Sequence, residues 1–157
     1  MTYIKCVSCN EELLEDAFRK NSKGVCTWCQ WEPAEKRAIA RYKDKLTADK
    51  KRHEDDKRLN ISQADFVKWY LSQDDCCYYC GTTMPECKAL KLKRGNFGYF
   101  VSWDIDRKDS LKPYEQGNIV LSCFMCNMAK ASYFSAEETK VIGSSIRKVV
   151  KARLAAL

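Results

Sequence analysis

Apolar residues in this chain cluster into a few short patterned stretches divided by long polar ones. Between 62 and 71, Phe66, Val67, Trp69, Tyr70 and Leu71 fall mostly on one face of a 3.6-residue period, which predicts a helix capped by Asn60 or Ser62. From Ser135 onward Val141, Ile142, Ile146, Val149, Val150 and Leu154 recur near helical spacing, which predicts a final amphipathic helix opened by a Ser135–Glu138 capping box. Packing or dimer formation is the ordinary role of such a stripe. FGYFVSWDI is rich in aromatic and β-branched residues and reads as a strand, followed by the loop DRKDSLKPYEQG, a second strand NIVLS, and a helix from Cys123 to about Ser132.

The polar stretches are equally informative. The segment ELLEDAF near the N-terminus has a helical look and leads to a turn at Asn21-Ser22-Lys23-Gly24. After Pro33, the run AEKRAIARYKDKLTADKKRHEDDKRL holds ten basic residues against six acidic ones, with no glycine or proline, and predicts one long helix too polar for deep burial. It is either a solvated spacer laced with ion pairs or a basic element laid along a phosphate backbone. KALKLKR at 88–94 carries four basic residues and no acid, and reads as a mobile loop in which Lys91, Lys93 and Arg94 meet phosphates, or as an ordinary solvated connection.

Cysteine spacing alters this picture most. Pairs at Cys6/Cys9, Cys26/Cys29, Cys77/Cys80 and Cys123/Cys126 each leave a two-residue gap, the spacing with which a tight turn closes on one ion, and two such pairs complete a tetrahedron. Two structural zinc ions are therefore expected. Sixteen residues separate Cys9 from Cys26, as in a compact ribbon, whereas forty-two separate Cys80 from Cys123, so the second site must clamp a whole subdomain. Disulfides are the alternative use of these thiols. The polar opening MTYIKC does not resemble a secretory leader, which favours a reducing, cytoplasmic setting over an oxidising one. Cys76 and Cys87 are left as spare thiols.

At 157 residues the chain suits one domain or two small zinc-stapled lobes, and it has no apolar run of membrane-spanning length. Its formal charge of +7 suggests an acidic partner, yet eight zinc-bound thiolates would reduce it to about +3, so charge alone decides little. The expected organisation is a zinc-ribbon-like module over 1–32, a basic and an aromatic helix over 33–75, a zinc-stapled core over 76–134 and a C-terminal helix over 135–157.

Taken together, strand, loop, strand and helix, with a cysteine pair at the helix start running into CNMAK, resemble the ββα-metal fold of the HNH nuclease superfamily. The likeness is greatest to its rare-cutting restriction endonucleases. It is carried by Trp69-Tyr70, CYYCG, DRKDS followed by Tyr114, Asn118, CFMCN with Lys130, and FSA at 134–136. Each piece is weak alone, and their order and spacing are specific.

The resemblance implies an α+β, zinc-stapled deoxyribonuclease that cuts double-stranded DNA as a homodimer on a palindromic site, twofold protein matching twofold DNA. Asp106 and Asn127 would offer hard oxygen ligands to a catalytic divalent ion such as magnesium; taken singly they read as a surface turn and a helix-cap side chain. Asn118 would support the loop between the strands, and Lys130, one turn after Asn127, would touch a phosphate. Arg107 stands where most members place a histidine base; a guanidinium stays protonated, so it would stabilise the phosphate instead. Tyr70 would be the nucleophile, or else a core tyrosine beside Trp69. His53, 17 residues upstream, would assist at the metal, or be a solvated residue in KKRHEDDK. A zinc-ribbon DNA-binding protein with a degenerate centre, and a nicking homing or phage nuclease, are the alternative functions.

Overall fold

The computed structural model describes residues 2–50, 58–94 and 98–157. Strands β1 (Tyr3–Lys5) and β2 (Glu12–Leu14) pair antiparallel, with Ile4 opposite Leu13, and helix α1 (Thr27–Gln30) follows. Leu13, Ala17 and Trp28 bury themselves around Cys6 and Cys26 in a small core of their own. ELLEDAF is thus not a helix: it is β2 followed by a single 3-10 turn at Glu15–Ala17, because pairing with β1 buries Leu13 where a helix would turn it away.

Helix α2 (Ala34–Lys50) is as polar as expected, and of its described residues only Arg37 and Ala38 are buried. Arg37 substitutes hydrogen bonds for apolar contact: it donates to the carbonyls of Trp31 and Glu32 and pairs with Asp75 at 3.0 Å. The expected helix does not extend to Leu59. There the chain is extended and forms a parallel bridge with Tyr114, because Leu59 packs against the main core. Helix α3 (Gln63–Leu71) is capped by Ser62, whose hydroxyl accepts from the Asp65 amide, and turns Phe66 and Tyr70 inward against Ala38 and Tyr42 of α2. No helix among the described residues is long and apolar enough to cross a membrane.

A short helix α4 (Met84–Ala89), held by a Thr83–Glu86 capping box, takes the first part of what read as the mobile 88–94 loop. Lys88 pairs with Glu11, Lys93 with Asp16 and Arg94 with Asp104, so three of its four cations tie the segment to the rest of the molecule. Only Lys91 of the four is exposed with no ion pair among the described residues.

The stretch FGYFVSWDI becomes a strand only at its end. Tyr99 and Val101 pack on the N-terminal core while Phe100 and Trp103 enter the main one, so successive side chains serve two cores instead of one ladder. Strand β3 (Asp104–Arg107) then pairs antiparallel with β4 (Ile119–Ser122), with Asp106 opposite Val120. Helix α5 (Phe124–Lys130) lies along β3 and stops at Ala131, whose φ of +45° ends the helical path. Helix α6 (Ala136–Ala155) carries both halves of the expected Ser135–Glu138 box. Val150 of its apolar stripe is buried, whereas Val141 and Val149 are exposed.

Candidate active site and metal centres

Both cysteine quartets assemble. The ligand sulfurs of Cys6, Cys9, Cys26 and Cys29 lie within 4.8 Å of one another, as do those of Cys77, Cys80, Cys123 and Cys126. The Cys80–Cys123 sulfurs are 3.8 Å apart and the Cys9–Cys26 sulfurs 4.0 Å. Zinc–sulfur bonds of about 2.3 Å arranged tetrahedrally require sulfurs about 3.8 Å apart. A disulfide needs about 2.05 Å, and all ten cysteines are unbonded thiols. Either quartet could therefore hold zinc. Without an ion the first quartet shares its protons unevenly: burial works to raise Cys6 but the backbone amides of Cys26, Cys9 and Ser8 hold it down to about 6, while burial pushes Cys9 upward and Cys26 up to about 12. Cys76 and Cys87 stand outside both quartets, and burial pushes Cys87 up to about 12.

The second quartet also organises its surroundings. Cys77 through Gly81 form a knuckle in which the Gly81 amide returns to the Cys77 carbonyl at 2.8 Å, with Gly81 at φ +67°. The Tyr78 amide donates to the Leu121 carbonyl, docking the knuckle on β4. Cys123 caps α5, its sulfur accepting from the Cys126 amide, so the next residue, Asn127, inherits the orientation of the quartet.

Beside the quartet lies a polar centre between β3 and α5. Asp104 and Asp106, two apart on a strand, face the same way, and both are buried. Asn127 and Lys130, three apart on a helix, also share a face. The two rows meet as two rungs: Asn127 Nδ2 donates to Asp104 Oδ2 at 3.0 Å, and Lys130 Nζ lies 3.6 Å from Asp106 Oδ2. Lys130 is fully buried and donates to Ser110 Oγ at 2.9 Å. Its ammonium thus belongs inside the centre, and the expected outward contact with a phosphate finds no exposed group. Tyr79 Oη donates to Asp106 Oδ2 at 2.6 Å; burial, then this bond, pushes its pKa upward. Among the described residues, Asp106 Oδ1 and Asn127 Oδ1 receive no hydrogen bond. Two hard oxygens left unengaged, on the residues at opposite corners of these two rungs, suit a small divalent cation.

The remaining expected residues are spread around this centre. Asn118 spans the loop after β3: its Oδ1 accepts from the Asp109 amide at 3.0 Å and its Nδ2 donates to the carbonyls of Asp109 and Pro113. Arg107 lies at the outer end of β3, its guanidinium 4.8 Å from the centre of the Tyr114 ring, which also carries Lys45 at 4.1 Å. Tyr70 is only 3% exposed, and its hydroxyl has no hydrogen-bond partner among the described residues. Burial raises its pKa, with the neighbouring Arg37 opposing. His53 lies outside the described residues.

Two members of the centre escaped sequence reasoning. Asp104 could have been found from strand periodicity, two places before Asp106. Tyr79 carried no signal of its own, being one of two tyrosines inside a cysteine knuckle.

No family model and no curated protein matches the chain. Among solved structures, that of the rare-cutting HNH restriction endonuclease PacI aligns over 96% of this chain and 97% of that one, at 27% identity and a TM-score of 0.64. Over nearly its whole length, then, this chain is similar to PacI and has an HNH-like fold, which includes the two cysteine quartets and the β3–β4–α5 unit.

Proposed function

We propose that the protein is a DNA endonuclease that hydrolyses phosphodiester bonds with the help of a divalent cation held by Asp106 and Asn127. The observation that carries this reading is the pair of unengaged oxygens on those two residues, clamped beside a cysteine quartet in a chain similar to an HNH restriction endonuclease.

In this reading zinc is scaffold. The quartet at Cys77, Cys80, Cys123 and Cys126 holds α5 against the strands and so fixes the helix that presents Asn127. The cation, when bound, supplies charge that stabilises the phosphorane and the departing oxygen. Lys130 offsets part of the Asp106 charge from within, and Tyr79 sets the rotation of that carboxylate. Asn118 keeps the loop beyond β3 in one conformation, as a positioning residue. Arg107 cannot act as a base, because its guanidinium does not lose its proton at neutral pH; it contributes a fixed positive charge toward the phosphate. Lys91, exposed and without an ion pair among the described residues, is the cation of the 88–94 segment that would follow the DNA backbone.

Two nucleophiles fit the chemistry, the Tyr70 phenol and water. Tyr70 can attack only if DNA binding uncovers its hydroxyl, and burial, which raises its pKa, works against the phenolate; both observations favour water. The exposed Val141 and Val149 of α6 are candidates for a homodimer contact that would let two copies cut both strands of a palindromic site.

The test is to incubate the zinc-loaded protein with a long DNA of known sequence, with and without magnesium. Discrete magnesium-dependent fragments establish a site-specific endonuclease. A smear marks a non-specific nuclease. Intact but retarded DNA assigns the chain to DNA binding without cleavage.

A further inference from the structure

We propose that Asp104 is a positioning residue: it determines which edge of the Asn127 carboxamide faces the cation. The inference rests on the nuclease reading above and adds to it a residue that the reading does not use.

A carboxylate accepts hydrogen bonds and donates none, whereas a carboxamide has one accepting and one donating edge. Asn127 meets Asp104 Oδ2 at 3.0 Å, so the edge in contact must be the NH2. The Oδ1 edge is thereby turned away from Asp104, and it accepts no hydrogen bond among the described residues. Without a partner that only accepts, the two edges would differ little in energy, and an amide turned the other way would present a donor to a cation.

Asp104 is itself held in place. Arg94 Nη1 donates to its Oδ1 at 2.8 Å, and Arg41 Nη2 lies 3.8 Å from the same oxygen. Arg41 is further anchored on Ser102, donating to its hydroxyl and its carbonyl at 3.0 Å each. Both Asp104 oxygens are therefore engaged, one by arginine and one by Asn127. Asp106 differs in having Oδ1 unengaged among the described residues. That difference makes Asp106 the ligand and Asp104 its support. It also joins helix α2, through Arg41, to the residue that would hold the cation.

The test measures Mn2+ binding to the full-length, zinc-loaded protein without DNA, by the electron paramagnetic resonance signal of unbound Mn2+. Zinc content and melting temperature serve as controls for folding. In Asp104→Asn, Arg94 claims the new amide's oxygen and leaves its NH2 toward Asn127, which must then turn its own oxygen inward. Mn2+ binding should weaken about 10–100-fold, the usual effect of losing a group that orients a metal ligand.

The exchange Asp104→Asn with Asn127→Asp restores a donor facing an acceptor and again offers an oxygen to the cation, so it should recover most of that loss. Asn127→Asp alone measures what the added carboxylate itself contributes; a merely structural role for Asp104, or direct ligation by it, would leave the exchanged pair no better than the two single changes summed, and that result overturns the proposal. So does an Asp104→Asn protein that binds Mn2+ as the wild type does. If Asp104→Asn does not fold, the exchanged pair carries the test alone: near wild-type Mn2+ binding supports the proposal and its loss overturns it. Asp106→Ala separates the two levels, since wild-type Mn2+ binding in that variant would refute the nuclease centre itself.

Discussion

The hydroxyl of Tyr79 donates to Asp106 at 2.6 Å, and Tyr79 stands between Cys77 and Cys80 of the second quartet. One turn of chain therefore serves both the structural cluster and the carboxylate proposed to hold the catalytic cation. Replacing Tyr79 by Phe keeps the ring in its buried site and removes only that bond. The expected outcome is Mn2+ binding weakened by about 10-fold or more, with zinc content unchanged, checked by titration beside metal analysis.

Helix α6 touches the same knuckle from outside. A Cβ built on Gly143 would come within 2.5 Å of the Tyr79 carbonyl oxygen and 2.8 Å of its carbon, both rigid backbone atoms. Gly143→Ala must push α6 away, and overpacking of this kind costs about 1–3 kcal/mol. Thermal or urea unfolding measures it. An unchanged midpoint would mean that α6 does not press on the knuckle as described.

Tyr70 separates stability from chemistry. Its buried hydroxyl has no partner among the described residues, so Tyr70→Phe should leave stability equal or slightly higher, by about 0–1 kcal/mol. Cleavage then identifies the nucleophile. Attack by the phenol requires the variant to lose orders of magnitude in rate, and attack by water leaves most of the rate in place.

Chelation should act on the fold before it acts on catalysis. Metal analysis of the purified protein should find two zinc ions per chain, matching the two quartets. Stripping them with a strong chelator, or introducing Cys123→Ser, should unfold the β3–β4–α5 unit, because binding free energy of structural zinc is folding free energy. Circular dichroism during chelation checks this, and excess magnesium should not restore the signal.

Local chemistry decided much of this protein in advance. Two-residue gaps between cysteines are geometric statements about one tight turn each, so the quartets were legible without knowing how the chain folds. The Ser135–Glu138 box and the helix over Gln63–Leu71 were legible for the same reason, since a helix is specified by neighbours a turn apart, although Leu71, expected on its apolar face, is exposed. Asp106 and Asn127 were singled out through resemblance, and their role as cation ligands is the proposal made above.

What the tertiary structure alone decided are the partnerships between distant residues. Whether FGYFVSWDI forms a ladder depended on two cores competing for alternate side chains, which no local period records. That Leu59 is not helical, as the polar run had predicted, depended on its pairing with Tyr114 across the fold. Lys130 shares a helix face with Asn127 in any reading, yet only packing against β3 determines that its ammonium is buried on Asp106 and Ser110. Asp104 became visible in the same way: periodicity puts it beside Asp106, but only Arg94, Arg41 and Asn127, brought from three other segments, make one carboxylate a support and leave the other an open oxygen. A buried charge takes its role from the groups that replace its water, and those groups are brought together only by the finished fold.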